Sequence, residues 1–155
     1  MFLRALLAFL ACPGVVALVV PSLIALGGTP SPVVHPAGYV LMGGGLALLV
    51  WCVRDFYVAG KGTLAPWDPP RSLVVVGLYR WSRNPMYVAV TLILLGWAVA
   101  YASRALLIYA LVVLTAFHLR VVYGEEPWLA KTHGDAWERY RREVRRWVGR
   151  KRMET

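Results

Sequence analysis

Between Arg4 and Arg54 lie 49 consecutive residues without one Asp, Glu, Lys or Arg. A further 20 uncharged residues run from Asn84 to Ser103, and 15 more from Ala105 to Leu119. Backbone placed in hydrocarbon must satisfy its own N–H and C=O groups, which helices do internally. A spanning helix needs about 20 mostly apolar residues, so these stretches have room for four. With 59% hydrophobic and 16% charged residues, the chain departs from soluble composition in the same direction. The expected fold is all-α and polytopic, a single membrane-embedded domain with four transmembrane helices and a C-terminal amphipathic interfacial helix.

The spans are expected at about 5–26, 37–53, 85–101 and 105–123. Pro13 and Pro21 should bend the first. The triple Gly43-Gly44-Gly45 in the second should let a neighbouring backbone approach closely. The signal-peptide alternative fails because the apolar run that follows Arg4 continues past Val20 to Leu26, too long for a signal core. A cytoplasmic loop covers 54–84 and an interfacial tail 124–155.

The net charge of +9 reports topology. The segment 54–83 has five basic and two acidic residues, and 120–155 has ten and six. Basic residues beside spans mark the cytoplasmic side and attract anionic headgroups. Both termini are therefore expected in the cytoplasm, with a bacterial inner membrane as the setting. Membrane lipids are the expected partners, without nucleic acid, and no protein partner is evident. In the tail, Trp137, Tyr140, Val144, Trp147 and Val148 follow helical spacing, with Arg139, Arg141, Arg142, Arg145 and Arg146 on the remainder. That pattern predicts a helix lying on the lipid surface.

Several generic motifs lead nowhere. Gly60-Lys61-Gly62-Thr63 lacks the earlier glycine of a phosphate loop. Cys12 and Cys52 make neither a disulfide framework nor a zinc site. His35, His118 and His133 have no metal-ligand spacing, so no metal is expected.

Two places resist the topological reading. One is the approach to the third span, Gly77-Leu78-Tyr79 and then Arg83-Asn84-Pro85-Met86-Tyr87. Pro85 suits a first helical turn and Asn84 its cap, and such a start can hold a carboxylate. The other is Glu125-Glu126, read as two carboxylates at the end of the fourth span, where the helix dipole disfavours them. A cationic partner is expected there, either Arg120 and the loop arginines or a bound cation.

These residues resemble the isoprenylcysteine carboxyl methyltransferase and phospholipid methyltransferase superfamily of integral-membrane enzymes. The resemblance rests on Gly77-x-Tyr79, Arg83-Asn84-Pro85-x-Tyr87, Glu125-Glu126-x-x-Leu129, Gly134, Tyr140 and Arg146-Trp147. It implies S-adenosylmethionine as cofactor, bound at the cytoplasmic face of the last two spans, and methyl transfer to a lipophilic acceptor. It also implies that Ser72, Leu73 and Val74 line the adenosine pocket, with Tyr79 and Tyr87 closing it. Asn84, Pro85 and Met86 would receive polar atoms of the cofactor, and Glu125 and Glu126 its ammonium or ribose. Glu126, His118 and Arg120 are the candidate catalytic residues.

Two positions depart from the isoprenylcysteine pattern. Asn84 stands where those enzymes have His. Val121 stands where they have an Arg for the substrate carboxylate, with Arg120 expected to face about 100° away on an α-helix. A phospholipid amine methyltransferase and a non-catalytic membrane scaffold of the same fold are the alternatives.

Overall fold

A computed structural model describes residues 10–28, 35–60 and 73–150. Among these the regular structure is helical, apart from one isolated bridge between Val144 and Arg150. A π-helical stretch, Leu10–Val19, runs into α1, Val20–Gly27. Helix α2 is Pro36–Gly60, α3 Pro85–Ala100 and α4 Arg104–Arg120. A π-helical turn, Val121–Glu125, then joins α4 to α5, Glu126–Glu143.

Proline chemistry explains how the first helical segment meets the others. Pro21 has no N–H, so neither an α-type bond to Ala17 O nor a π-type bond to Val16 O can form at that position. Both carbonyls find partners on other helices. Trp97 Nε1 of α3 donates to Ala17 O at 3.0 Å, and Tyr109 Oη of α4 donates to Val16 O at 3.0 Å. In an apolar surrounding an unpaired carbonyl is costly, and these two bonds tie the π-helical stretch that leads into α1 to α3 and α4.

The α2–α3 contact is the most extensive between elements. It depends on missing side chains. A Cβ at Gly45 would lie 2.8 Å from Ala89 O, one at Gly96 would lie 2.5 Å from Met42 Cγ, and one at Gly38 would lie 2.3 Å from Ala100 N. Gly43 and Gly44 meet nothing within 4 Å, so only one glycine of the triplet permits the close approach expected of all three. Around this contact Ala17, Leu49, Ala89, Val90, Ile93, Leu94 and Ala110 form the apolar core.

Outside the core, Leu23, Val40, Ile108, Leu111 and Val112 face outward. Pro36–Asp55 and a segment within Arg104–Glu143 are long and apolar enough to cross a membrane, while Pro13–Gly27 and Pro85–Ala100 are shorter apolar helices. Exposed apolar helix faces of this kind suit hydrocarbon better than water.

Two boundaries differ from expectation. Helix α2 runs seven residues beyond Val53, carrying Arg54 and Asp55 on a helix instead of a loop. In the tail, α5 stops at Glu143, so the pattern expected to continue through Val148 is broken. Trp137, Tyr140 and Val144 are buried against Leu73, Leu129 and Ala130, covered by protein instead of lipid. Val148 points outward at 68% exposure.

The glycine packing gives a stability test by thermal unfolding in detergent. Gly45→Val and Gly96→Val should each destabilise by about 1–3 kcal/mol through overpacking. Gly43→Ala and Gly44→Ala should be neutral, or stabilising by up to about 1 kcal/mol from helix propensity.

Candidate active site

The entry to α3 is built as a tight polar corner. Pro85 occupies the first helical turn, and Asn84 takes the capping position without a side-chain cap bond. Its side chain is used elsewhere: Asn84 Nδ2 donates to Arg146 O at 3.1 Å, and its backbone N–H donates to Ser82 Oγ at 3.0 Å. The capping position is as expected, but the capping bond is not made.

Arg83 sits beside this corner with its side chain only 7% exposed. Its guanidinium lies 5.3 Å from the Trp137 ring centroid and reaches Glu126 Oε1 at 3.2 Å. Burial lowers its pKa, and the Glu126 charge works in the opposite direction. Arg146 also contacts Glu126, with a bidentate pair, Nε to Oε1 at 2.8 Å and Nη2 to Oε2 at 2.9 Å. Burial alone would raise the Glu126 pKa, but the Arg146 hydrogen bonds and the Arg83 and Arg146 charges outweigh it and hold the carboxyl below its ordinary value. Glu126 is therefore a poor proton acceptor.

Glu125 has different company. Tyr87 Oη, from the first turn of α3, donates to Glu125 Oε1, and Arg120 Nε donates to the same oxygen at 2.8 Å. Residues five apart on an α-helix point about 140° from each other. The π-helical turn Val121–Glu125 shifts that register and brings Arg120 back over Glu125. Val121 itself is fully buried, whereas the Arg120 side chain is 53% exposed. The expected helix end at the glutamates is corrected. The chain stays helical through Glu125, and Glu126 opens the first turn of α5. The anticipated cationic partners are protein arginines.

The Gly77-x-Tyr79 segment forms a 3₁₀ turn, Gly77–Arg80, seated on α2. Gly77 has φ +54°, and a Cβ there would lie 1.8 Å from Asp55 Oδ2. Asp55 is buried and accepts from Leu78 N at 3.4 Å. Tyr79 is also buried, its carbonyl accepting from Tyr140 Oη at 2.7 Å. Burial, with Cys52, Tyr140, Asp55 and Glu125 nearby, pushes its phenol well above the ordinary value.

The expected site residues thus divide into groups. Asn84 and Glu126 meet through Arg146, while Tyr87 and Glu125 meet directly. Pro85 and Val74 are buried, Met86 packs on the apolar core, and Leu73 belongs to the Trp137 cluster. His118 is exposed, its ring 5.9 Å from that of Trp147. Ser72 lies outside the described residues.

Asp55 is absent from the expected region, and Arg146, quoted in the resemblance, has no role assigned there. Its spacing places it with the other tail arginines on the polar side of the expected helix. Asp55 carried a signal: it is the first acidic residue after the long uncharged run.

The family model described as phospholipid methyltransferase matches residues 33–136, more than half of the chain. Neither the curated proteins nor the solved structures contain a match.

The depressed Glu126 pKa gives a pH prediction. Its contribution to stability is complete above the ordinary carboxylate pKa of about 4.3 and is lost as pH falls through the lower folded value. Glu126→Gln should therefore lower the unfolding midpoint at pH 7, and the gap from wild type should close as pH falls below that ordinary value. Glu126→Ala, which leaves Arg83 buried without that counter-charge, should cost about 3–5 kcal/mol at neutral pH.

Proposed function

The chain belongs to the phospholipid methyltransferase family, and from that membership we propose that it transfers the sulfonium methyl of S-adenosylmethionine to a lipophilic acceptor at the cytoplasmic membrane face. The observation that carries this reading is the pairing of Tyr87 with Glu125 where α3 and α4 meet polar surroundings. We read four spans into the fold, with both termini in the cytoplasm and the bacterial inner membrane as the setting. The polar corner then faces the cytosol, where a water-soluble methyl donor is available.

The residues fit such a donor in chemical type. It carries a sulfonium, an ammonium, a carboxylate and an adenosine. The Glu125 side chain, 34% exposed, remains reachable and offers a carboxylate to a cation. The start of α3 carries no side-chain cap, so its first N–H groups are available to a carboxylate. Glu126 and the Asn84 amide are already engaged within the protein. We therefore assign Glu125 and Tyr87 to direct contact, and Glu126 and Asn84 to holding the corner in shape.

When bound, the donor supplies an electrophilic methyl group. The protein has to align the acceptor with it and exclude water, and positioning of this kind accounts for a large share of such rates. A lipid acceptor reaches the site sideways from the bilayer between helices. An amine acceptor has to lose a proton; both bonds to Glu125 fall on Oε1, whereas Arg146 engages both oxygens of Glu126, so Glu125 and the exposed His118 are the candidates.

A phospholipid amine is favoured over a prenylcysteine carboxylate by one observation. Val121 is buried, and Arg120 directs its Nε to Glu125 instead of an incoming anion.

Binding of S-adenosylmethionine to the purified protein in lipid nanodiscs tests the proposal. Wild type should bind, and Glu125→Ala/Glu126→Ala should bind at least about tenfold more weakly, the loss expected for a charge-assisted contact. Absence of binding by folded wild-type protein would sink the enzyme reading in favour of a scaffold. Methyl transfer into a lipid extract then identifies the acceptor: product in the aminophospholipid fraction supports the amine.

A further inference from the structure

The C-terminal segment Val144–Arg150 is joined to the α3 entry more closely than a lipid anchor requires. The chain reverses on itself here, with Arg145 N donating to Gly149 O at 3.0 Å and Gly149 in a positive-φ conformation at +100°. The resulting strap lies along Trp81–Asn84. Arg83 N donates to Arg145 O at 3.0 Å, Gly149 N to Trp81 O at 2.7 Å, and Asn84 Nδ2 to Arg146 O at 3.1 Å. From the same strap the Arg146 side chain makes its bidentate contact with Glu126.

One residue thus holds two of the groups that shape the corner. Its carbonyl takes the Asn84 amide, and its guanidinium takes both oxygens of Glu126. The charged groups acting on that carboxylate are Arg83 on the approach to α3, Arg146 on the strap and Arg141 on α5. Arg83 is buried and its Nε makes no hydrogen bond, so it sets charge more than direction. The two parallel bonds from Arg146 define the carboxylate plane. Glu125 is the neighbouring residue in the chain, so the placement of Glu126 bears on the carboxylate assigned above to the methyl donor.

We infer that Arg146 is a positioning residue for the methyl-donor site, acting through Glu126 from the C-terminal strap. The inference rests on the donor-site reading above and adds to it a residue far from the α3–α4 corner in sequence. An ammonium cannot reproduce a bidentate guanidinium, so Lys should rescue only in part.

The test uses full-length protein in nanodiscs, with S-adenosylmethionine binding and donor KM as readouts. Arg146→Ala should weaken binding by about tenfold, the scale expected when a charged group loses its partner. Arg146→Lys should fall between it and wild type. Donor KM should rise with little change in kcat at saturating donor, the pattern of lost binding instead of lost chemistry. In a double-mutant cycle, Arg146→Ala should add nothing to Glu126→Gln if it acts through that carboxylate. Full additivity, or undiminished binding by Arg146→Ala, overturns the inference while leaving the donor site intact. No binding by wild type overturns the parent reading and this inference with it. Should Arg146→Ala fail to fold, Arg146→Lys against Arg146→Gln decides: tighter binding by Lys supports the inference, and equal binding overturns it.

Discussion

A carboxylate held by two guanidinium groups organises the polar end of this protein. Glu126 lies on α5, Arg83 precedes α3, and Arg146 follows α5 on a strap. A mostly buried charge is tolerated only with close partners, so the three segments cannot separate without exposing or stranding an ion. The strap's backbone bonds to Trp81, Arg83 and Asn84 follow from that placement, as does the burial of Trp137 beneath the Arg83 guanidinium. The corner is closed by residues that begin and end the second half of the chain.

Deeper in the molecule, hydrogen-bond satisfaction plays the same part. Pro21 withholds a backbone donor beside the Ala17 and Val16 carbonyls, and Trp97 and Tyr109 donate to these from α3 and α4. Close approach of α2 and α3 at Gly38, Gly45 and Gly96 completes the packing. These contacts hold the end of α3 that carries Tyr87 relative to α4, which carries Arg120. The π-helical turn then rotates Glu125 to meet both. A polar cluster at a helix junction is thus supported by apolar packing several turns away.

Much of this was legible in the residues. Absent charge located the apolar helices, and Pro85 marked the start of α3 to the residue. Gly77, Asn84, Tyr87 and the glutamate pair were recognised as a constellation, and the family match agrees with that reading. Other features were hidden for identifiable reasons. A π turn has no composition of its own, so the register that brings Arg120 over Glu125 could not be read from spacing. The amphipathic spacing of Trp137, Tyr140 and Val144 was real. Periodicity reports that a face is apolar, not whether lipid or protein covers it. Asn84 has the chemistry of a cap, but the strap carbonyl competes for its amide.

By itself, the sequence determined that the chain is helical, that its long apolar segments belong in a membrane, and which polar residues break that pattern. Those outcomes depend on local chemistry: hydropathy, proline geometry and charge along the chain. Only the tertiary structure decided which arginine meets which glutamate. Arg83 and Arg146 are 63 residues apart in a chain with 17 basic residues, and spacing alone does not say which tail arginine meets Glu126. Its role exists because α5 stops at Glu143 and the chain turns back, bringing a guanidinium to a carboxylate that burial had left in need of one.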